Sequence, residues 1–491
     1  MAQPSPTAAG GHVRDRQLEL VCFGSTIAAS LIALATGWGF TVDDALISSR
    51  VAHHIASGLG YRFNPMGPVT DCVTPLGWAV LIAPLSTEGA WQGMLNARWL
   101  GVVCHLATAA VLAHALAKAR VPTRSVVGVS LVLAVSLPWG AWASSGMETP
   151  LITLLAACSL LAGRMGLGAA ALASALRPEL IPWAMTLALA SSAPTPGRRL
   201  GRLAAVLAPA LAVAVIRASV FGHAAPLAVF AKPSDLTHGL RYIATGLLLT
   251  GLPLLLPALG AYRQLPRAAL SHAFALLAHA AAVTAAGGDW MALFRLLVPV
   301  LPNLAYVAAL VLARERPRWY WAKLGLAISA CMLLQVSHGT NARSVLDARR
   351  ALVEAGSIAL SGAKVVGTLD VGWVGASGDF EVVDFAGVTD PEVALLPGGH
   401  TSKHLPPDFL YRRKVDAIAL LTRPNTANNA DWTELPFARM VERRVGQFAG
   451  QLRFRQSAWL PLAETDQHYL ILERSPDVLA STPGQQRSAN P

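Results

Sequence analysis

Charge is what this chain has least of. Asp, Glu, Lys and Arg make up 14% of its 491 residues, against about 25% in an ordinary soluble protein. With 54% hydrophobic residues and a mean hydropathy of +0.47, that shortage excludes a soluble globular domain. It points to a chain that crosses a membrane many times. Cysteine is scarce as well: Cys22, Cys72, Cys104, Cys158 and Cys331 are scattered, mostly inside apolar stretches. No paired spacing exists, which excludes a disulfide framework and a zinc motif. An internal repeat is also missing. So is a convincing cleavage site after the first apolar run, which is therefore expected to be a retained anchor.

The charge that is present lies unevenly. Residues 1–338 hold 23 Lys or Arg against 11 Asp or Glu, and residues 339–491 hold 16 against 17. The first part is thus +12 and the second −1, which sum to the overall +11. Positive charge confined to short loops between apolar runs belongs to membrane-surface anchoring, so the high pI gives no reason to expect nucleic acid.

Apolar segments recur near 18–40, 91–117, 122–141, 147–163, 167–192, 200–221, 239–262, 268–286, 292–313 and 319–337. Arg177-Pro178-Glu179 breaks 167–192 into two half-helices, because proline cannot continue the hydrogen-bonded ladder. The run 75–86 is too brief to cross and is expected at the interface. With the N-terminus inside, eleven crossings result. Arg14, Arg16, Lys118, Arg120, Arg198, Arg199, Arg263 and Arg314 then fall inside, and Asp43, Asp44, Asp71, Glu88, Glu148, Glu179, Asp235 and Asp289 fall outside. This orientation follows the preference of Lys and Arg for the cytoplasmic side.

The expected organisation is a cytoplasmic tail at 1–17, a transmembrane domain at 18–338 with a first outer loop at 41–90, and a C-terminal extracytoplasmic α/β domain at 339–476. Residues 477–491, rich in Ser, Pro and Gln, are expected to be disordered. In the tail, helices are expected over 343–359 and 437–452, and strands over 364–375, 380–386, 415–422 and 468–474.

Four charged motifs converge on the outer side. Asp43-Asp44 lies where the first apolar helix leaves the membrane, a costly place for a carboxylate pair and hence a functional candidate. On a continuing helix Asp43, Arg50 and His54 share one face. Ser145-Gly146-Met147-Glu148 opens a helix, Arg177-Pro178-Glu179 marks the break, and Gly287-Gly288-Asp289-Trp290 precedes Arg295. Lys232 joins them from a further loop. Plainer readings exist for each: helix capping for the Asp pair, a helix-start acid for Glu148, an Arg177–Glu179 pair at the kink, and a Gly-Gly turn at Asp289. Together they outline a pocket with carboxylates for base or metal duty and with Arg and Lys for an anion. Such a pocket suits displacement of a phosphate from the anomeric carbon of a lipid-linked sugar, where a carboxylate takes the acceptor proton. A single displacement of that kind inverts the anomeric centre.

The motifs carry a resemblance. VDDALISSRVAHHIASGLGYRFNP resembles the first-loop signature of bacterial GT-C glycosyltransferases, roughly DDAFI-x-x-RYA-x-N-x-x-x-G-x-G-x-x-FNPG. SGMETPL is similar to their SGLETPL, ALRPE to LTRPE, and GGDWMALFRLLVPVLP to GGDWMxxFRFLVP. In the tail, Val371-Gly372-Trp373, the run Val383–Pro391 and Gly399-His400-x-x-Lys403 match a GDxG-like turn, IDLLGLTDP and GHxK. The resemblance spans about 40–425 in matching order and is nearest to the arabinofuranosyltransferase-like branch. Departures stand at Val69–Trp78, at Met66 and at Leu369–Gly372, on the expected acceptor side.

The resemblance implies a GT-C fold and a polyprenyl-phosphate sugar donor, with arabinofuranose one such sugar. The acceptor is then a glycan or lipid outside the cell membrane, and one of Asp43 and Asp44 is the base, with Asp43 favoured. Arg50, Glu148, Arg177, Glu179, Lys232, Asp289 and Arg295 are the candidates for the donor phosphate and sugar. His54, Asp390, His400 and Lys403 are candidates for the acceptor side, unless the tail residues form a network of their own. A divalent cation, Mg2+ or Mn2+, is left open as a cofactor, with Asp43, Asp44 and Asp289 as candidate ligands. The alternative class is a transporter or flippase of polyprenyl-linked saccharides, since broken helices and intramembrane charge occur there too.

Overall fold

The computed structural model describes residues 6–161, 163–190, 195–255, 263–423, 431–462 and 465–474, apart from the side chains of 6–14 and 252. The expected tail 477–491 and the stretch 256–262 lie outside them. The described chain is mostly helical, with a small sheet near its C-terminal end. Five helices are long and apolar enough to cross a membrane: Asp15–Gly37, Ala90–Lys118, Pro196–Phe221, Arg267–Ala285 and Pro317–Ala359. The pair Thr123–Ala134 and Leu137–Ala143, bent by 64°, makes a sixth if counted as one span.

That is fewer than the eleven expected. The apolar stretches are where the sequence places them, but several stop short. Thr149–Cys158 and Arg164–Leu176 are among the described helices of 10–17 residues, below the ~20 needed for an upright span. The break at Arg177-Pro178-Glu179 is present, with Arg164–Leu176 on one side and Ile181–Ala190 on the other. The run 292–313 differs more: its α-helix begins only at Leu301, after a turn in which Leu293 and Phe294 both have positive φ. Side chains with a Cβ rarely adopt that conformation.

The helix ends sort into two groups. At one end Arg120 meets Asp15 at 3.4 Å, and Arg124 and Tyr320 bring the loops around 122 and 316 together. At the other end, Ser144 bonds the last carbonyls of the first helix and Thr41 donates to the Ser145 carbonyl. The cavity described below opens there.

The helix Pro317–Ala359 has 43 residues. At 1.5 Å per residue it is about 65 Å long, roughly twice the hydrocarbon thickness. It therefore carries the expected last span and the expected first tail helix as one rod, and the boundary placed at 338 lies inside it. Gly39 packs against its Arg343 backbone, and the Leu346 amide donates to the Gly39 carbonyl.

The sheet follows, in the order β2-β1-β3-β5-β4. Strand β1 (Val365–Thr368) runs parallel to β2 (Glu381–Asp384) and to β3 (Ala417–Leu421). Strands β4 (Phe454–Pro461) and β5 (His468–Arg474) pair antiparallel, with β5 against β3. Alternation sends Ala417 and Ala419 into the core shared with the helix bundle, and Ile418 and Leu420 into a second core. Two expectations are corrected. The strand over 364–375 ends at Thr368 and gives way to a helix, Val371–Ala376. The edge strand β4 was not expected, since its half-exposed residues lack clean alternation.

Candidate functional site

The helix Asp43–Ala56 starts six residues after the first span ends and lies across that end of the bundle. Successive helical residues point about 100° apart, so its two first residues face different neighbours. Asp43 turns toward the tail. Its Oδ2 accepts from the Gly372 amide at 2.7 Å and its Oδ1 from the Trp373 amide at 2.9 Å. Gly372 has to be glycine for this approach, because a Cβ there would collide with the Asp43 carbonyl and carboxylate. Burial pushes the Asp43 carboxyl above the ordinary carboxylate range, against the pull of Arg349 and of the two amides.

Arg50 lies on the same face, as the spacing predicts, but that face is the docking face. Its guanidinium donates to the carbonyls of Phe63, Gly378 and Phe380 at 2.9 Å each, and to that of Gly375. Four of its five N–H donors thus go to backbone carbonyls, and Arg50 is not among the residues that line the cavity described next. His54, further along, bonds the Arg62 carbonyl at 3.0 Å and stays inside the first loop.

Asp44, Ile47 and Ser48 form the other face and line a cavity of about 480 Å³. Helix-end segments supply much of the remaining lining, with Glu148 before Thr149, Arg177 after Leu176 and Gly288 and Asp289 after Ala285, while residues 72–75 add the first loop and Val388 the tail. Seven of the charged candidates meet here, namely Asp44, Glu148, Arg177, Glu179, Lys232, Asp289 and Arg295.

They form two acid–arginine–acid groups and one separate lysine. Arg177 lies 3.1 Å from Glu148 and 3.5 Å from Glu179. Arg295 lies 2.8 Å from Asp289 and 3.5 Å from Asp44. Among the described residues no carboxylate comes within ion-pair reach of Lys232. Most of these groups are buried, but the Asp44 side chain keeps 29% of its surface, and of the Asp pair it is the one that lines the cavity. Burial alone would raise the Asp289 carboxyl; Arg295, Lys232 and Arg177 more than offset it and hold it below the usual carboxylate range.

Backbone special to this turn delivers Asp289 and Arg295. Gly287 and Gly288 both have positive φ, and a Cβ on Gly287 would strike the Asp235 amide. The strained pair Leu293-Phe294 is held by Trp142, whose indole donates to the Leu293 carbonyl at 2.8 Å. Unfavourable backbone of this kind costs about 1–3 kcal/mol per residue and persists where its surroundings fix it.

The tail candidates divide. His400 comes to the cavity side, where burial, Lys232 and Arg439 push its imidazole down to about 4, with Asp44 and Asp289 opposing. Asp390 instead caps the helix Pro391–Ala394 and pairs with Arg413 at 2.5 Å. Lys403 is buried and donates to the carbonyls of Ala394 and Leu396 at 2.8 and 2.9 Å. Both serve the tail itself. The candidate metal ligands do not converge either: Asp43 faces the tail, and the Arg295 guanidinium lies between Asp44 and Asp289. Among the described residues no three His, Cys, Asp or Glu side chains could hold a metal ion.

Two ion-paired groups carry no signal in the motifs above. Arg217, near the end of Pro196–Phe221, pairs with Asp71 at 2.8 Å and ties the first loop to that helix. Its sign was a lone arginine in an otherwise apolar run. Asp370, at the end of β1, receives both forks of Arg439 at 2.9 and 2.6 Å and the Tyr469 hydroxyl at 2.7 Å. No local pattern in the sequence marks those partners, which lie 69 and 99 positions away.

The chain matches no protein-family model, no curated protein and no solved structure.

Proposed function

We propose that this protein is an integral-membrane glycosyltransferase of the GT-C type, transferring a sugar from a polyprenyl phosphate to a glycan or lipid acceptor. The observation that carries the reading is the cavity: a carboxylate open to the cavity, two shared arginines and an unshared lysine at the end of an apolar helix bundle. A lipid-linked sugar phosphate needs those surroundings, an apolar wall for its tail and cations for its phosphate.

In this reading Asp44 takes the proton of the acceptor hydroxyl as its oxygen bonds to the anomeric carbon. The bond from that carbon to the phosphate oxygen breaks, and its electron pair leaves on the polyprenyl phosphate. Lys232 meets the growing phosphate charge, with Arg295 and Arg177 behind it. The base role falls to Asp44 rather than Asp43, because both Asp43 oxygens are held by the tail. The chain path fits the GT-C reading: Thr149–Cys158, Arg164–Leu176, Ile181–Ala190 and Arg267–Ala285 each begin or end beside cavity-lining residues. The preference of Lys and Arg for the cytoplasmic side supports an outside position for the cavity and tail, since the basic loops lie at the opposite end.

The test is transfer from a panel of radiolabelled polyprenyl-phosphate sugars by purified, reconstituted protein. Transfer by the parent, lost in Asp44→Asn and weakened in Lys232→Ala but not in Arg263→Ala, supports the reading. Absence of donor binding across the panel sinks it. Movement of the lipid across liposomes with no sugar transfer would make the protein a transporter instead.

A further inference from the structure

Trp290 stands at the rim of the cavity, next in sequence to Asp289, with 58% of its surface exposed. One face of its indole lies flat on His238, with ring centroids 4.2 Å apart and planes 11° from parallel. His238 is itself fixed by a 2.7 Å hydrogen bond between Nδ1 and the Gly287 carbonyl. From the tail, His400 stands beside the indole at 5.7 Å, tilted by 55°. Three rings from three separate segments thus build an aromatic step where the bundle and the tail meet. None of them lines the cavity, and the roles assigned above do not use the indole.

We propose that Trp290, backed by His238 and flanked by His400, is a saccharide-binding step that receives a sugar ring of the acceptor. An aromatic face is electron-rich, and the C–H bonds on one side of a sugar ring present weakly positive hydrogens to it. The imidazole underneath holds the indole in place, so little side-chain freedom is lost on binding. His400, kept neutral by burial, Lys232 and Arg439, offers a hydroxyl partner at the edge, within electrostatic reach of Asp44 and Asp289. A ring stacked here is poised to present a hydroxyl toward Asp44. A tryptophan serving only as a membrane anchor needs neither a stacked histidine nor a partner from the tail. Trp321 shows the contrast: it is 67% exposed, and its one ring contact among the described residues is the adjacent Tyr320, edge-on at 90°.

The inference rests on the transferase reading, and the experiment separates the two. Full-length protein in lipid nanodiscs is titrated with methyl glycosides and short oligosaccharides of arabinose, mannose, galactose and glucose, followed by saturation-transfer NMR and calorimetry. Polyprenyl phosphate binding is measured separately. The expected result is that one saccharide class binds and that Trp290→Ala weakens it about tenfold. Trp290→Phe should keep most of the affinity, Trp321→Ala should keep all of it, and polyprenyl phosphate should bind Trp290→Ala as it binds the parent. The proposal is overturned if no saccharide in the panel binds the parent. It is equally overturned if Trp290→Ala binds as tightly as the parent, or if Trp321→Ala loses as much. If saccharide binding depends on Trp290 but polyprenyl phosphate does not bind, the step stands and the transferase reading falls.

Discussion

Asp43 and Asp44 are neighbours in sequence with different surroundings, and their variants should fail differently. Asp44→Asn keeps the shape but cannot accept a proton, so transfer should fall about 10²–10⁴-fold, with only the small stability loss of one partly exposed ion pair to Arg295. Asp43→Asn leaves one carbonyl oxygen where two carboxylate oxygens held the Gly372 and Trp373 amides. Its cost is expected in stability, about 1–3 kcal/mol, read as a lower melting temperature and faster proteolysis between bundle and tail. If Asp43→Asn stays stable and loses transfer while Asp44→Asn stays active, the roles are reversed. Lys232→Ala should weaken polyprenyl phosphate binding about 10–150-fold with little loss of stability, because it breaks no ion pair. Arg295→Ala should cost more on both counts, since it leaves Asp44 and Asp289 facing each other unshielded.

Between elements, the docking of Val371–Ala376 on Asp43–Ala56 is the joint that matters. Gly372→Ala places a Cβ against the Asp43 carbonyl, and overpacking of that kind costs about 1–3 kcal/mol. Limited proteolysis should release the tail of this variant sooner, while Gly362→Ala, in open space, should behave as the parent. The Asp370–Arg439–Tyr469 group gives the tail an acid limit. Burial would raise Asp370, but Arg439 and Tyr469 hold it well below the usual carboxylate range. A carboxyl lowered on folding stabilises fully above its unfolded value of about 3.9 and loses that contribution as pH falls toward the folded one. Melting temperature should therefore hold near neutral pH and drop below about pH 4. Asp370→Asn should start lower and lose that part of the pH dependence; an unchanged acid limb would remove Asp370 as its cause.

Over the whole molecule, orientation is open to a direct measurement. The native cysteines are buried or half-buried, so introduced ones report cleanly. Leu395, 72% exposed on the tail, should be labelled by an impermeant thiol reagent from outside when replaced by cysteine. Cysteine at Arg199, exposed near the start of Pro196–Phe221, should not be. The reverse pattern would invert the protein and move the cavity to the cytoplasmic side.

The sequence by itself determined the apolar helical character compatible with a membrane, the positions of the apolar stretches, the break at Pro178 and the set of charged residues around the cavity. Those follow from hydropathy, from proline's missing amide and from the cost of charge near lipid, which act locally. Helical spacing also placed Asp43, Arg50 and His54 on one face. Only the tertiary structure decided what that face meets, because a helix has no preferred neighbour until another surface packs against it. It gave Asp44 to the cavity and Asp43 to Gly372, and it kept Asp390 and Lys403 inside the tail. It also joined Asp71 to Arg217 and Asp370 to Arg439. A buried charge takes whichever opposite charge the fold brings within reach, and sequence distance carries no record of that choice.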